Sequence, residues 1–421
     1  LSKLLIEPKI TSVKKFYFLE YFYILLKSVE QHQSKKEIFS DFRRRKDSFQ
    51  LGESKYRKII TPDEEMSSKK LKRYEYTLKE VIEESKLYNL IESRGEDFFL
   101  TTTGKNLINN YERNLDEYHL AIFNLMEREL HGFYYLIQKC YSASKSGLLI
   151  FPVYSPLRLN IAKESFKKTA DVINYINLLV EKLRSDIKEH LNIEQNLSST
   201  KENLIAKLVS AGLIDLSPEA PLKNADYNVI VKRIRDHWLN YFLNDIYKMQ
   251  MSLSYFDIWC YRGKQLGIIN ATEFYYNFSG KIVYPISILT PSVSNRDFLE
   301  IFQYPENIKL FIHSPSFENM IEEFTKCVYE SYIDLKSRVK TYFVNLADLR
   351  DLVCFKLKIS YNKFVEFLES LYQLNLRNET KISISLEADR LPSETKAMYL
   401  KREPIVVDNK SLNIIAIDIK K

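Results

Sequence analysis

The stretch Leu90–Ile108, LIESRGEDFFLTTTGKNLI, most constrains what this chain can fold into. An apolar pair, Leu90-Ile91, closes a helix-like run, and Arg94-Gly95 marks a turn. Phe98-Phe99-Leu100 returns as a short apolar segment, and a run of threonines and a glycine opens a new helical pattern. The order predicts a two-stranded ribbon pinned between two helices. Leu90 and Ile91 are expected to plug the core, Phe99 and Leu100 to pack from the return strand, and Thr103 to cap the following helix by accepting from its free backbone N–H groups.

The surrounding patterns are helical. Phe16–Glu30 reads as a buried helix. Ser34–Lys46 reads as a second, with Ser34 and Glu37 in capping-box spacing, and Leu71–Ile91 as a third, with 51–70 as a loop between them. Lys105–Leu130 reads as one long helix. Further helices are predicted over Gly132–Cys140, Phe166–Leu191, Thr200–Ala211, Asp226–Met249, Phe317–Phe343, Leu346–Leu357 and Asn362–Asn375. Strand-like runs occupy Lys381–Glu387 and Arg402–Lys421, the latter read as a terminal hairpin turning at Asp408–Ser411. Nine glycines and 13% aromatics in 421 residues favour packed helical structure.

One phrase recurs, a helix ending in an apolar couplet and followed by a hairpin. It appears at Leu90, in LVSAGLIDLS, in GKQLGIINATEFYYNFSGKIVYPI and in LYQLNLRNETKISISLE. The irregular spacing rules out a solenoid and suggests one small module used several times. The division expected is 1–130, 131–225, 226–294 and 295–421, the second unit degenerate because prolines stand where a return strand belongs.

Three helices with a ribbon folded back over the third resemble the winged-helix family, the helix-turn-helix variant with a β-hairpin wing. Leu90, Ile91, Phe98–Leu100, Thr103, Gly104 and Lys105 carry the resemblance, most clearly within 16–108. It implies a mainly α fold with small β-hairpin wings in a tandem winged-helix-like arrangement. It also implies duplex DNA as partner, with the helix before the hairpin in the major groove and the wing on the backbone.

The charge distribution agrees with such a partner. Between Lys35 and Lys79 fourteen Lys/Arg stand against eight Asp/Glu, so nearly all of the net charge of +7 sits in one tenth of the chain. Clustered cations gain affinity for a polyanion by releasing its counterions. The candidate DNA-binding residues are Arg43, Arg44, Arg45 and Lys46, then Lys69, Lys70, Lys72, Arg73 and Lys79 on the third helix, then Arg94 at the wing tip and Lys105 beyond it. Glu96 and Asp97 at that tip do not suit a phosphate. Secondary candidates are Lys232, Arg233, Arg235, Arg262 and Lys264.

Signs of catalysis are sparse. There is no GxxxxGK[ST] or GxGxxG phosphate loop, no HExxH and no GxSxG elbow. Asp408, Asp418 and Lys420 resemble the order of a PD-(D/E)xK nuclease. In a terminal hairpin, however, the two carboxylates stand roughly 20 Å apart at ~3.3 Å per residue, too far to share a metal ion. No cofactor, metal or enzymatic activity is expected. Four scattered cysteines suit a reducing compartment. The longest apolar run, Phe16–Leu26, is too short to span a membrane and contains Glu20. The expectation is a cytoplasmic or nucleoid-associated, non-catalytic DNA-binding protein. The alternative is a scaffold subunit of a prokaryotic DNA-processing or antiviral-defence assembly, with protein partners and oligomers formed through Lys105–Leu130 and Phe166–Leu191.

Overall fold

The computed structural model describes residues 7–51, 67–152, 167–173, 206, 226–272, 277–278, 281–282, 286–291, 299–304, 309–339, 341–388, 405–408 and 410–420. The helices expected over Phe166–Leu191 and Thr200–Ala211, the LVSAGLIDLS copy of the recurring phrase and most of the 51–70 loop lie outside these residues. The fold is mainly helical, with small antiparallel sheets of two or three strands. The chain divides into two compact units, each discontinuous in sequence. The first comprises 1–138, 254–271 and 290–421, and the second 139–253 and 272–289. They cut across the sequence divisions at 225 and 294, because the helix at 253–266 packs mostly with N-terminal residues.

The first unit opens with α1 (Glu20–Gln31), α2 (Lys35–Leu51), α3 (Ser68–Leu87), β1 (Ile91–Arg94), β2 (Asp97–Leu100), α4 (Thr102–Arg113), α5 (Leu115–Leu130) and α6 (Gly132–Ala143), the last running on into the second unit. The ribbon forms as the sequence predicts, pairing Ile91 with Leu100 and Arg94 with Asp97 around Gly95, whose φ of +65° suits glycine. Ser34 bridges to Asp97, and Phe98 N donates to Gln33 O (3.1 Å), so a third short strand joins the ribbon through β2.

Three expectations need correction here. Thr101, not Thr103, caps α4, its hydroxyl accepting from Gly104 N at 3.0 Å and donating to Asn89 O at 2.6 Å. Phe98 is the buried ribbon aromatic, while Phe99 is only half-buried. The single helix 105–130 is two, broken at Asn114. That residue is extended (φ −158°), and its side chain accepts from Asp116 N (2.8 Å), the capping role asparagine favours over helix interiors. The apolar face of α5, Tyr118, Ile122, Phe123 and Met126, is buried inside the unit, so that face is not open for pairing chains. Gly104 allows α4 to cross the ribbon closely, since a Cβ there would lie 2.2 Å from Leu90 O.

The second unit holds β3 (Leu149–Pro152), α7 (Tyr227–Asn240) with a π-helical turn over Tyr241–Ile246, the short β5–β6 ribbon and the first part of β7. Strand β3 pairs antiparallel with β7 (Ile286–Pro291), and β5 (Asn277–Phe278) with β6 (Lys281–Ile282). Ile230, Ile234, Phe242 and Leu243 are buried. The π turn interrupts the helix expected over Asp226–Met249.

The first unit continues with α8 (Leu253–Leu266), followed by β4 (Ile269–Thr272), and then β8 (Leu299–Gln303) and β9 (Lys309–Ile312), which pair antiparallel. Its last part is α9 (Phe317–Val339), β10 (Val344–Asn345), α10 (Leu346–Leu357), α11 (Tyr361–Leu376), β11 (Ile382–Glu387), β12 (Ile405–Val407), β13 (Lys410–Leu412) and β14 (Ile414–Ile419). The expected terminal hairpin is corrected. Only β12 and β13 pair across the turn at Asp408, while β14 joins a three-stranded sheet in the order β10-β14-β11. Once the β12–β13 ribbon is set aside as an insertion, two segments of the first unit share one order, helix, short extended segment, helix, helix, strand, strand, with the first extended segment (the Ser34 bridge, or β10) paired to the last strand: α1 to β2, and α9 to β14.

Candidate nucleic-acid interface

Helix α3 has two faces set by its period. Tyr74, Leu78, Val81, Ile82 and Ser85 are buried. Lys69, Lys72, Arg73, Tyr76 and Lys79 are exposed at three- and four-residue spacing along one outward face, and Lys86 lies two turns further on, beyond Glu83. Ser67 caps the helix, accepting from Lys70 N, and Lys70 is exposed beside the stripe. Tyr76, 49% exposed, is the aromatic in this row. Sequence reasoning passed over it, although its place three residues from both Arg73 and Lys79 already put it opposite Leu78.

Two acidic residues stand beside this stripe, exposed Glu75 and partly exposed Glu83, the latter 3.8 Å from Lys79 Nζ; the second half of α3 otherwise ties its acids inward. Lys15 N donates to Glu80 (2.9 Å), and Lys14 Nζ pairs with Glu83 (2.8 Å). That hydrogen bond holds the Glu83 carboxyl below its usual range and the Lys14 ammonium above it. Glu84 is fully buried. It receives two hydrogen bonds from the Arg262 guanidinium (2.6 and 2.9 Å) and one from the Tyr88 hydroxyl (2.6 Å). Arg262 also donates to Phe16 O (3.1 Å) and lies over the Phe16 ring at 4.3 Å. A buried pair satisfied this fully fixes α3 on the N-terminal segment and α8.

The other candidates sort by exposure. Arg43 is buried. Arg44 and Arg45 both hold Asp41, at 2.5 and 2.6 Å, and the Arg45 side chain is only 25% exposed. Lys46 lies 4.4 Å from the Tyr74 ring centroid and 5.5 Å from that of Tyr21, and burial pulls its ammonium down to about 8. The four-residue basic run is therefore mostly packing, and Arg44 is its surface member. Arg94 is exposed at the ribbon tip, paired with Glu92 (2.6 Å) and lying over the Phe99 ring. Lys105 is exposed on the first turn of α4.

Two secondary candidates are corrected. Arg262 is wholly buried, and Lys264 is 6% exposed, near Asp351 (3.8 Å) and over the Tyr261 and Tyr361 rings. Neither reaches a phosphate, because apolar and aromatic neighbours surround the inner side of α8. Arg233 is half-buried on α7, and the side chains of Lys232 and Arg235 lie outside the described set.

Asp408 sits in the β12–β13 turn (φ 50°), and its N–H donates to Glu369 (3.1 Å). Asp418 lies on β14 opposite Ser383 and accepts from the Tyr342 hydroxyl, while Lys420 Nζ donates to Asn375 O (3.3 Å). Among the described residues no group of three or more His, Cys, Asp and Glu could hold a metal ion, and no helix is long and apolar enough to cross a membrane. Comparison with protein-family models, with curated proteins and with solved structures finds no match to this chain.

Proposed function

We propose that residues 16–108 form a winged-helix-like module that binds duplex DNA, with α3 laid in the major groove and the β1–β2 ribbon beside the backbone. The observation that supports this best is the outward face of α3, where Lys69, Lys72, Arg73 and Lys79 stand in line while Glu80, Glu83 and Glu84 have partners in the N-terminal segment and α8. With Lys86, Arg94 and Lys105 at its margins, this surface offers phosphate contacts without a catalytic group, and affinity rests mainly on the backbone.

The test is fluorescence anisotropy on a random duplex across a salt series, with and without Mg²⁺. Neutralising roughly five phosphates predicts a log–log slope near −4.5 and no cleavage. A flat salt response, or no binding at low salt, overturns the reading. A second reading, a scaffold that docks proteins, draws on the acidic ribbon tip and on the last module, where α11 carries Glu366 and Glu369 outward. It predicts stable association with partner proteins and weak, salt-insensitive DNA affinity.

A further inference from the structure

The aromatic in the outward row of α3 has a neighbour on another helix. Tyr76 is 49% exposed, and Tyr255, on the first turn of α8, is half-buried. Partial burial, the Glu80 carboxylate and the nearby Tyr255 together raise the Tyr76 hydroxyl above its usual range, so the three side chains share one patch of surface. Lys15 joins them. Its N–H donates to Glu80 (2.9 Å), and its ammonium lies 5.6 Å from the centre of the Tyr255 ring.

Four exposed cations stand around the two rings: Lys72, Arg73 and Lys79 within about one turn of Tyr76, and Lys15 over Tyr255. The acids among them are Glu75, which is exposed, and Glu80, which Lys15 N engages. A single exposed tyrosine is ordinary surface. Two tyrosines from separate elements, set among cations, offer more than charge. In a B-form duplex the bases stack on one another, and contacts to phosphate need no ring. Base faces are open only where the strands are unpaired, and there an aromatic side chain adds stacking to the attraction of the backbone for cations.

We propose that Tyr76 and Tyr255 stack on unpaired bases, so that the preferred ligand of this module is duplex DNA continued by a single-stranded tail. The inference rests on the DNA-binding reading and deepens it. Lys69, Lys72 and Arg73, which precede Tyr76 on α3, hold phosphates of the duplex. Lys79 and Lys15 hold those of the tail, and the rings take its bases. Every base has a π-face, so the sequence of the tail matters little.

The experiment uses fluorescence anisotropy on the full chain with three ligands: a blunt duplex of about 20 base pairs, the same duplex with a tail of about five thymidines, and one whose tail has abasic sites in their place. The abasic tail keeps every phosphate and lacks only the bases. The thymidine tail binds about tenfold tighter than the abasic tail. Tyr76→Ala brings the thymidine tail down to the level of the abasic one, Tyr255→Ala lowers it in the same direction, and Tyr76→Phe, which keeps the ring, retains the preference. Unfolding melts serve as the fold control. Equal affinity of the parent chain for the two tails overturns the proposal and, with the blunt duplex still bound, leaves the DNA-binding reading standing. A preference that survives in both folded alanine variants overturns it as well. Failure of all three ligands to bind at low salt overturns both readings.

Discussion

The two modules of the first unit, α1 to β2 and α9 to β14, are built alike and finished differently. In each, the residue in the first strand caps the second helix: Ser34 accepts from Glu37 N (3.4 Å), and Asn345 accepts from Ala347 N (3.0 Å). In each a serine caps the third helix, Ser67 and Ser360. The third helices of both end at a left-handed asparagine, Asn89 (φ 54°) and Asn378 (φ 61°). Their outward faces then diverge. Helix α3 presents cations. Helix α11 presents Glu366, Glu369 and Gln373, and the β12–β13 ribbon, inserted between β11 and β14, packs on it with Ile405 and Val407 buried and Asp408 N bonded to Glu369. Topology therefore does not decide what a module can touch. Side-chain charge and one inserted ribbon do.

The largest effect should come from the buried pair that holds α3. Arg262→Met leaves the buried Glu84 carboxyl without its guanidinium partner, at a cost of about 3–5 kcal/mol, to be read from chemical denaturation. Adding Glu84→Gln should recover much of that loss. If the single variant unfolds at the parent midpoint, the pair does not anchor α3. Next in size is the surface. Replacing Lys69, Lys72, Arg73 and Lys79 with Gln should lower duplex affinity about a hundredfold near 0.1 M salt and flatten the salt slope by roughly 3.5. Changing Glu366 and Glu369 to Lys should alter it far less while the inserted ribbon covers α11. Equal responses from the two faces would erase the distinction drawn between the modules.

The architecture of the first module was legible because its signals are local. The Arg94-Gly95 turn, the apolar couplets and the Ser34 cap act within a few residues, whereas the Ser67 cap fell inside the stretch read as a loop. The α10 boundaries, Leu346–Leu357, were readable for the same reason. What stayed hidden depends on distant partners. Periodicity alone runs straight through Asn114, and only the cap to Asp116 shows the break. The terminal alternation predicts a hairpin, but β14 finds β11, a partner separated in sequence by the β12–β13 ribbon. Arg43–Lys46 reads as a surface patch until Asp41 and the rings of Tyr21 and Tyr74 close on it. Arg262 was placed among phosphate ligands because nothing in CYRGKQ announces Glu84, 178 residues away.

A smaller effect should come from Glu127, which belongs to neither module. It caps α6, accepting from Phe133 N (3.1 Å), Tyr134 N (2.9 Å) and the Tyr304 hydroxyl (2.6 Å). Burial outweighs those bonds and lifts its carboxyl to about 7. A folded-state value above the unfolded one means the group favours folding at low pH and less so as pH rises. Stability should therefore fall between about pH 4.5 and 7, by on the order of 2–3 kcal/mol. Glu127→Gln should remove that dependence. Denaturation followed at both pH values decides it, and a parent chain with no such decline refutes the assignment. If the two modules unfold as one, the decline appears with equal size whichever module carries the probe.

The smallest effect tests whether the modules are alike at the level of a single backbone angle. Asn89 and Asn378 end α3 and α11 in the left-handed region. Leu90 N and Glu379 N then each reach back five residues, to Ser85 O (2.8 Å) and Leu374 O (2.9 Å). That geometry closes a helix and aims the chain into the next strand, and it penalises a Cβ-bearing residue lacking asparagine's local hydrogen bonding. Alanine at either position should cost about 1 kcal/mol, whereas glycine, free of the Cβ clash, should match or exceed the parent. The shared build predicts the same sign and size at both sites, since neither the cations of α3 nor the ribbon on α11 enters the turn. A large loss at 378 with none at 89 would mean that the inserted ribbon, rather than the helix end, sets the exit of α11, and the likeness between the modules would then stop at strand order.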